Sequence, residues 1–150
     1  MRIACWLRGT ICLTVLFSNL SYAISNEQQI RSLLSNTFDS PSAKVKTSPV
    51  IVDGDIAIAD WIQGEKGGRA LLKKSNGKWE ISACGGSGFK QSESLIQAGI
   101  EQRIASRLTT KLANAEKKLP AKQIQMFDSF GQTVSMEQGH DAHHQQMNKH

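Results

Sequence analysis

Hydrophobic residues just after the N-terminal region recur at the spacing of an amphipathic helix. Between residues 26 and 38 they fall three and four positions apart. They are Ile30, Leu33, Leu34 and Phe38. Asn26 suits the cap of such a helix, and Pro41 follows its end, where proline disfavours helical backbone at the residue before it. The pattern therefore predicts a helix over residues 26–38.

The pattern changes to alternation over residues 43–84, which is typical of β-strands. Three clusters of turn-forming residues divide this region, and the Asn76-Gly77 pair in the last of them is the strongest hairpin signal of the chain. The clusters are Asp53-Gly54-Asp55, Gly64–Gly68 and Ser75–Lys78. They predict an antiparallel meander of four strands, the last two at residues 69–73 and 79–84. Alternation in the second strand puts Ala57, Ala59 and Trp61 on one face and Ile56, Ile58 and Ile62 on the other.

Helical periodicity returns over residues 92–119 and ends at Pro120. Gly99 is a candidate break that would divide the segment into two helices. Residues 121–130 fit either a further short helix or an extended arm with apolar anchors. From residue 131 onward the sequence has no periodicity, so we expect a disordered tail over residues 131–150.

These elements predict an α+β fold over residues 24–130. An N-terminal helix precedes the four-stranded antiparallel meander, helices follow it, and one sheet face needs a helix to cover its apolar residues. By analogy, the nearest architecture is a cystatin-like or nuclear-transport-factor-like roll, and this analogy carries no function.

Residues 1–23 have the three-part organisation of a secretory signal peptide. Arg2 and Arg8 come first, the apolar run 11–17 follows, and Ser21-Tyr22-Ala23 supplies a small-residue cleavage site. We expect cleavage after Ala23, which places the mature chain in the periplasm; an uncleaved anchor is the alternative.

Removal of these residues lowers the net charge and leaves a single cysteine. The mature chain has 16 Lys and Arg against 13 Asp and Glu, or +3, which does not favour a nucleic-acid-binding protein. No apolar run in it approaches the roughly 20 residues that span a bilayer. Cys84 has no partner for an internal disulfide.

The most biased segment is the C-terminus, which contains all four histidines of the chain within its last 11 residues. Imidazole binds Cu(II), Ni(II) and Zn(II), whereas the thioether of methionine selects Cu(I). The candidate metal ligands are His140, His143, His144, His150, Met136 and Met147. Because both ligand types occur together and the tail has no cysteine, the segment favours copper over zinc. A polar tail without a metal is the alternative.

Cys84 is a second candidate, at the end of the last predicted strand and before a glycine-rich stretch. If that stretch is flexible, the thiol is exposed, nearby amides lower its pKa, and it can add a soft ligand for Cu(I). The alternative is a buried core cysteine. The other conspicuous residues have structural interpretations: the glycine clusters do not match a phosphate-binding loop, and Asp53, Asp55 and Asp60 form no evident acid–base pair.

Several short motifs together resemble one family. They are Val50–Gly54, Ala57–Trp61, Gly67–Leu72 (GGRALL), Gly77-Lys78-Trp79 and Cys84-Gly85. Over roughly residues 27–130 they are similar to small secreted bacterial proteins described as copper-uptake-system-associated. The resemblance implies a periplasmic accessory protein beside a copper importer, with an outer-membrane copper receptor or a periplasmic copper carrier as partner. It assigns no ligand residues, and the GGRALL element is interpreted as structural.

We therefore expect a periplasmic copper-binding accessory protein rather than an enzyme. It would capture or hand over copper through its His/Met-rich tail. One alternative is a periplasmic adaptor that docks a copper receptor without binding metal itself. Another is a small thiol-dependent enzyme with Cys84 as its nucleophile, which would need a nearby base.

Overall fold

The protein folds around one antiparallel sheet with helices on both sides. The structure, a computed structural model, describes residues 24–131 and 134–135. In chain order the elements are α1 (Asn26–Phe38), β1 (Val45–Asp53), β2 (Ile56–Gln63), β3 (Lys66–Ser75), β4 (Lys78–Gly85), a 3-10 helix (Ser87–Lys90), α2 (Ser92–Gln97), α3 (Gln102–Glu116), α4 (Ala121–Asp128) and β5 (Val134–Ser135). The predicted signal peptide and nearly all of the predicted tail lie outside the described residues.

The predicted helix–meander–helix order is confirmed, and with it the α+β class. α1 has the predicted bounds, although the side chain that caps it belongs to Ser25, which accepts a hydrogen bond from the amide of Gln28. The three hairpins join neighbouring strands, and each turn contains a glycine with positive φ, such as Gly77 at 78°. Glycine adopts this backbone without the clash that a Cβ would cause.

Two details of the sheet differ from the prediction. β3 begins at Lys66, so Gly67 and Gly68 belong to the strand and not to the turn before it. A two-residue fifth strand, β5, pairs with β4, with Val134 opposite Cys84 and Ser135 opposite Ala83. The chain therefore returns to the sheet edge at two positions that the sequence assigned to the tail, where a short aperiodic strand leaves no recognisable pattern.

The two sheet faces form separate hydrophobic cores. One core lies between the sheet and α1, and it contains Ile30, Leu34, Ala57 and Ala59. The opposite core contains Ile58 and packs against α2 and α3. The predicted alternation in β2 is therefore confirmed, but helices cover both faces and not just one.

The helical region after the sheet is broken where the sequence suggested. Gly99 has φ of 80° and lies between α2 and α3. Of the two alternatives for residues 121–130, the helix is confirmed over Ala121–Asp128, and Phe127 is its fully buried anchor.

The segment from α4 to residue 130 packs against two glycines of β3 and against Gly86, which directly follows β4. A Cβ on Gly67 would lie 2.8 Å from the carbonyl oxygen of Met126, and one on Gly86 would lie 2.5 Å from that of Phe130. A Cβ on Gly68 would lie 3.0 Å from the Phe130 side chain. Glycine is therefore required at these positions because the α4 segment approaches the strand backbone closely.

None of the helices in the described part of the chain is long and apolar enough to cross a membrane.

Candidate functional site

Most of the predicted metal ligands cannot be placed in this structure. His140, His143, His144, His150, Met136 and Met147 lie outside the described residues. Within residues 24–131 and 134–135, no group of three or more His, Cys, Asp or Glu side chains is arranged to hold a metal ion.

Of the two alternatives for Cys84, the structure has the buried core cysteine. Its side chain is 7% exposed, in the core on the α1 side of the sheet, and burial raises the pKa of its thiol to about 11. The glycine-rich stretch does not form a loose loop, because Gly85 ends β4 and Gly86 lies under the segment after α4. The thiol is therefore protonated and shielded at neutral pH, which counts against both a soft-ligand role and a nucleophilic one.

The most unusual chemistry in the described part of the chain surrounds Arg69, a fully buried side chain of β3. Its Nε and Nη2 donate to Oε1 of Glu116 at 2.8 and 2.7 Å. Its Nη1 donates to Oδ1 of Asp128 at 2.8 Å. The guanidinium also lies 5.7 Å from the ring centroid of Phe127. These contacts tie β3 to the last residues of α3 and of α4, with charge-assisted hydrogen bonds in a water-poor setting.

A third carboxyl group, that of Asp60, lies beside the same guanidinium. Asp60 is opposite Arg69 in the β2–β3 register, and both side chains are 0% exposed. The nearest approach is 3.6 Å, from Oδ1 of Asp60 to Nε of Arg69. Among the described residues, no N–H donor comes within hydrogen-bonding reach of either carboxyl oxygen of Asp60.

Asp60 is better accommodated as a neutral acid than as a carboxylate. Burial is the main cause that raises its pKa, to about 8, against the opposing effect of Arg69. The charges of Glu116 and Asp128 raise the pKa further. A proton on Asp60 removes the repulsion between its carboxyl group and those two charges.

The formal charges of the cluster support the same assignment. Lys90 lies 3.7 Å from Glu116 and 3.5 Å from Asp128, so it provides a second positive charge beside that of Arg69. Three ionised acids would leave the cluster at −1, whereas one proton on Asp60 makes it neutral. Neutral clusters avoid the high cost of an uncompensated buried charge. We name these five residues the Arg69 cluster: Asp60, Arg69, Lys90, Glu116 and Asp128.

The Arg69 cluster reaches the surface on one side. The side chains of Asp128 and Lys90 are 34% and 36% exposed. Beside them is an open, mainly apolar depression of ≈ 290 Å³ lined by Lys90, Ala113, Glu116, Lys117 and Ile124. The cluster can therefore exchange a proton with solvent through Glu116 and Asp128, while Asp60 and Arg69 stay inside.

The sequence analysis missed this cluster. It found no acid–base partner for Asp60, because Glu116 lies 56 positions away in the chain. One signal was present: alternation puts Asp60 on the same face as Ile56 and Ile58, where a charged residue needs a buried partner. Arg69, between two glycines and an apolar run, is the matching signal on the next strand.

The comparisons with family models, curated proteins and solved structures found no match to this chain. The analogy to a cystatin-like or nuclear-transport-factor-like roll therefore stays a prediction.

Proposed function

We propose that this chain is a periplasmic copper-binding accessory protein that captures or hands over copper through residues 136–150. The observation that carries the proposal is that the histidines are confined to one short segment, together with two methionines. All four histidines lie between residues 140 and 150, with Met136 and Met147 at either side of the first three, while residues 24–131 contain no histidine.

The chemistry of those side chains supports copper in particular. Imidazole nitrogen suits Cu(II) and thioether sulfur suits Cu(I), so a segment with both can keep the ion through a change of oxidation state. The resemblance to copper-uptake-system-associated proteins points to the same metal. An outer-membrane copper receptor or a periplasmic copper carrier is the proposed partner.

The burial of Cys84 supports the assignment of the metal ligands to residues 136–150 alone. Cys84 was the candidate ligand within the sheet, but its thiol is buried and its pKa is raised to about 11. Binding a metal there would require both deprotonation and opening of the core. We therefore assign the ligands to residues 136–150, which follow β5 in the chain.

A metal titration with matched variants tests the proposal. Residues 24–150 are titrated with Cu(II), and with Cu(I) under reducing conditions, each with zinc as competitor. We expect copper binding that survives Cys84→Ala and is lost when His140, His143 and His144 are replaced together by alanine. Truncation after residue 135 should abolish binding and leave the far-ultraviolet circular dichroism of the fold unchanged.

Two outcomes would contradict the proposal. Equal copper binding by the truncated and the longer chain would move the site into the folded part. Absence of copper binding by both would favour the alternative of an adaptor that docks a copper receptor without metal. Most nitrogen and sulfur sites bind Cu(II) more tightly than Zn(II). The ratio of the two affinities must therefore be larger than this general difference to support the proposal.

A further inference from the structure

The main polar attachment of α4 to the rest of the fold is one buried guanidinium, and Phe127 and the close approach of Met126 to Gly67 add packing contacts. Asp128, its last residue, accepts from Arg69 at 2.8 Å, and Phe127 is buried beside the same group. Lys90 adds a longer contact of 3.5 Å to Asp128. α4 is only eight residues long, which is too short to be stable without such tertiary contacts.

Arg69 is shared between acids on three elements. Glu116 of α3 and Asp128 of α4 occupy its donors, while Asp60 of β2 lies 3.6 Å from its Nε without a hydrogen bond. The charged groups that act on Asp60 are thus Arg69 from β3, Glu116 from α3 and Asp128 from α4. Lys90 from the 3-10 helix contacts the latter two acids. The N–H donors of Arg69 are directed at Glu116 and Asp128, so a carboxylate at Asp60 would have no hydrogen bond. A neutral acid is therefore favoured there.

We propose that the proton on Asp60 is a latch that holds α4 on the sheet, because it leaves Arg69 free to bind Asp128, and that rising pH weakens this latch. The proton leaves to solvent along the Glu116 and Asp128 side of the cluster, and no other covalent bond forms or breaks. This latch involves only residues of the Arg69 cluster and of α4, and the proposal does not depend on copper binding by the tail.

Loss of the proton changes the cluster in two ways. The neutral carboxyl group of Asp60 becomes a buried carboxylate, which the negative charges of Glu116 and Asp128 repel. The new Asp60 carboxylate also attracts Arg69, whose Nε is the nearest donor. A guanidinium that turns toward Asp60 lengthens its bond to Asp128, so α4 loses its main polar attachment.

Hydrogen exchange of the α4 amides at a series of pH values tests the latch. The full chain is compared with the Asp60→Asn variant, and rates are corrected for the intrinsic pH dependence of exchange. In the native chain we expect the opening of α4 to increase by up to about tenfold per pH unit from about pH 5 to pH 8, and then to level off. In Asp60→Asn, which cannot ionise, the opening should not depend on pH.

Two further measurements keep the test decisive. Asp55→Asn makes the same substitution at an exposed position of the β1–β2 hairpin and should keep the native pH dependence. Carbon NMR of the Asp60 carboxyl group in the native chain reports its protonation without any variant. A titration midpoint of Asp60 below about pH 5, or α4 protection that is independent of pH in the native chain, would overturn the proposal.

Discussion

Replacing Asp60 with asparagine should stabilise the protein at neutral pH and destabilise it in acid. Asparagine has nearly the same shape but cannot ionise. The folded protein keeps a proton on Asp60 up to about pH 8, whereas the unfolded chain releases it near the ordinary value of 3.8. A raised folded pKa contributes stability that is fully present below 3.8 and is lost as pH rises to about 8.

The size of the effect follows from the two pKa values. Between them, the native chain loses about 1.4 kcal/mol of unfolding free energy per pH unit relative to the variant. At pH 7 the accumulated difference is about 4 kcal/mol. The asparagine amide has a second N–H, and Arg69 offers it no acceptor, which costs about 1–3 kcal/mol. The variant should therefore be about 1–3 kcal/mol more stable at pH 7 and less stable by a similar amount near pH 4.

Urea unfolding at pH values from 4 to 9, followed by the fluorescence of Trp61 and Trp79, measures this difference. The comparison of two chains cancels the pH dependence of groups outside the Arg69 cluster, such as Asp53, whose pKa is lowered chiefly by its hydrogen bond with Arg107. A stability difference that does not change with pH would refute the reasoning. A variant that becomes progressively less stable than the native chain above pH 5 would show that Asp60 is an ionised partner of Arg69.

Three further variants or reactions test other contacts. Gly86→Ala should cost about 1–3 kcal/mol of unfolding free energy because the new Cβ meets a backbone carbonyl oxygen at 2.5 Å, whereas Gly88→Ala, with its nearest contact at 3.7 Å, should change it by less than about 0.5 kcal/mol. A thiol reagent at pH 7.5 should modify Cys84 about 100-fold more slowly in the folded chain than in urea, and equal rates would contradict its burial and its raised pKa. Asn26→Ala should cost about 1–2 kcal/mol in urea unfolding, since its Oδ1 accepts from the indole of Trp79; an unchanged midpoint would show that this link contributes nothing.

The order and type of the main elements were predictable because their signals are local. The bounds of α1 follow from apolar spacing within 13 residues, and the hairpins follow from glycine-containing turns. Gly99 marks the break before α3 for the same local reason. The start of β3 was misplaced because Gly67 and Gly68 resemble a turn in sequence. Their actual role is to admit the α4 segment close to the strand.

The burial of Cys84 is a property that local sequence signals could not predict. A cysteine before three nearby glycines suggests an exposed thiol, but the exposure depends on what packs against those glycines. The segment after α4, more than 40 residues later in the chain, covers Gly86 and helps to close this end of the sheet. No pattern around residue 84 contains that information.

The sequence by itself determined the α+β class, the alternation of β2 between two faces, and the segregation of the histidines into the last 11 residues. Periodicity, turn residues and composition are properties of neighbouring positions, and they persist in any packing. Only the tertiary structure decided that helices cover both faces, that Cys84 is buried, and that Asp60, Arg69, Glu116 and Asp128 meet. The charge that a buried acid carries depends on the groups that packing brings around it, and around Asp60 those groups come from three other elements.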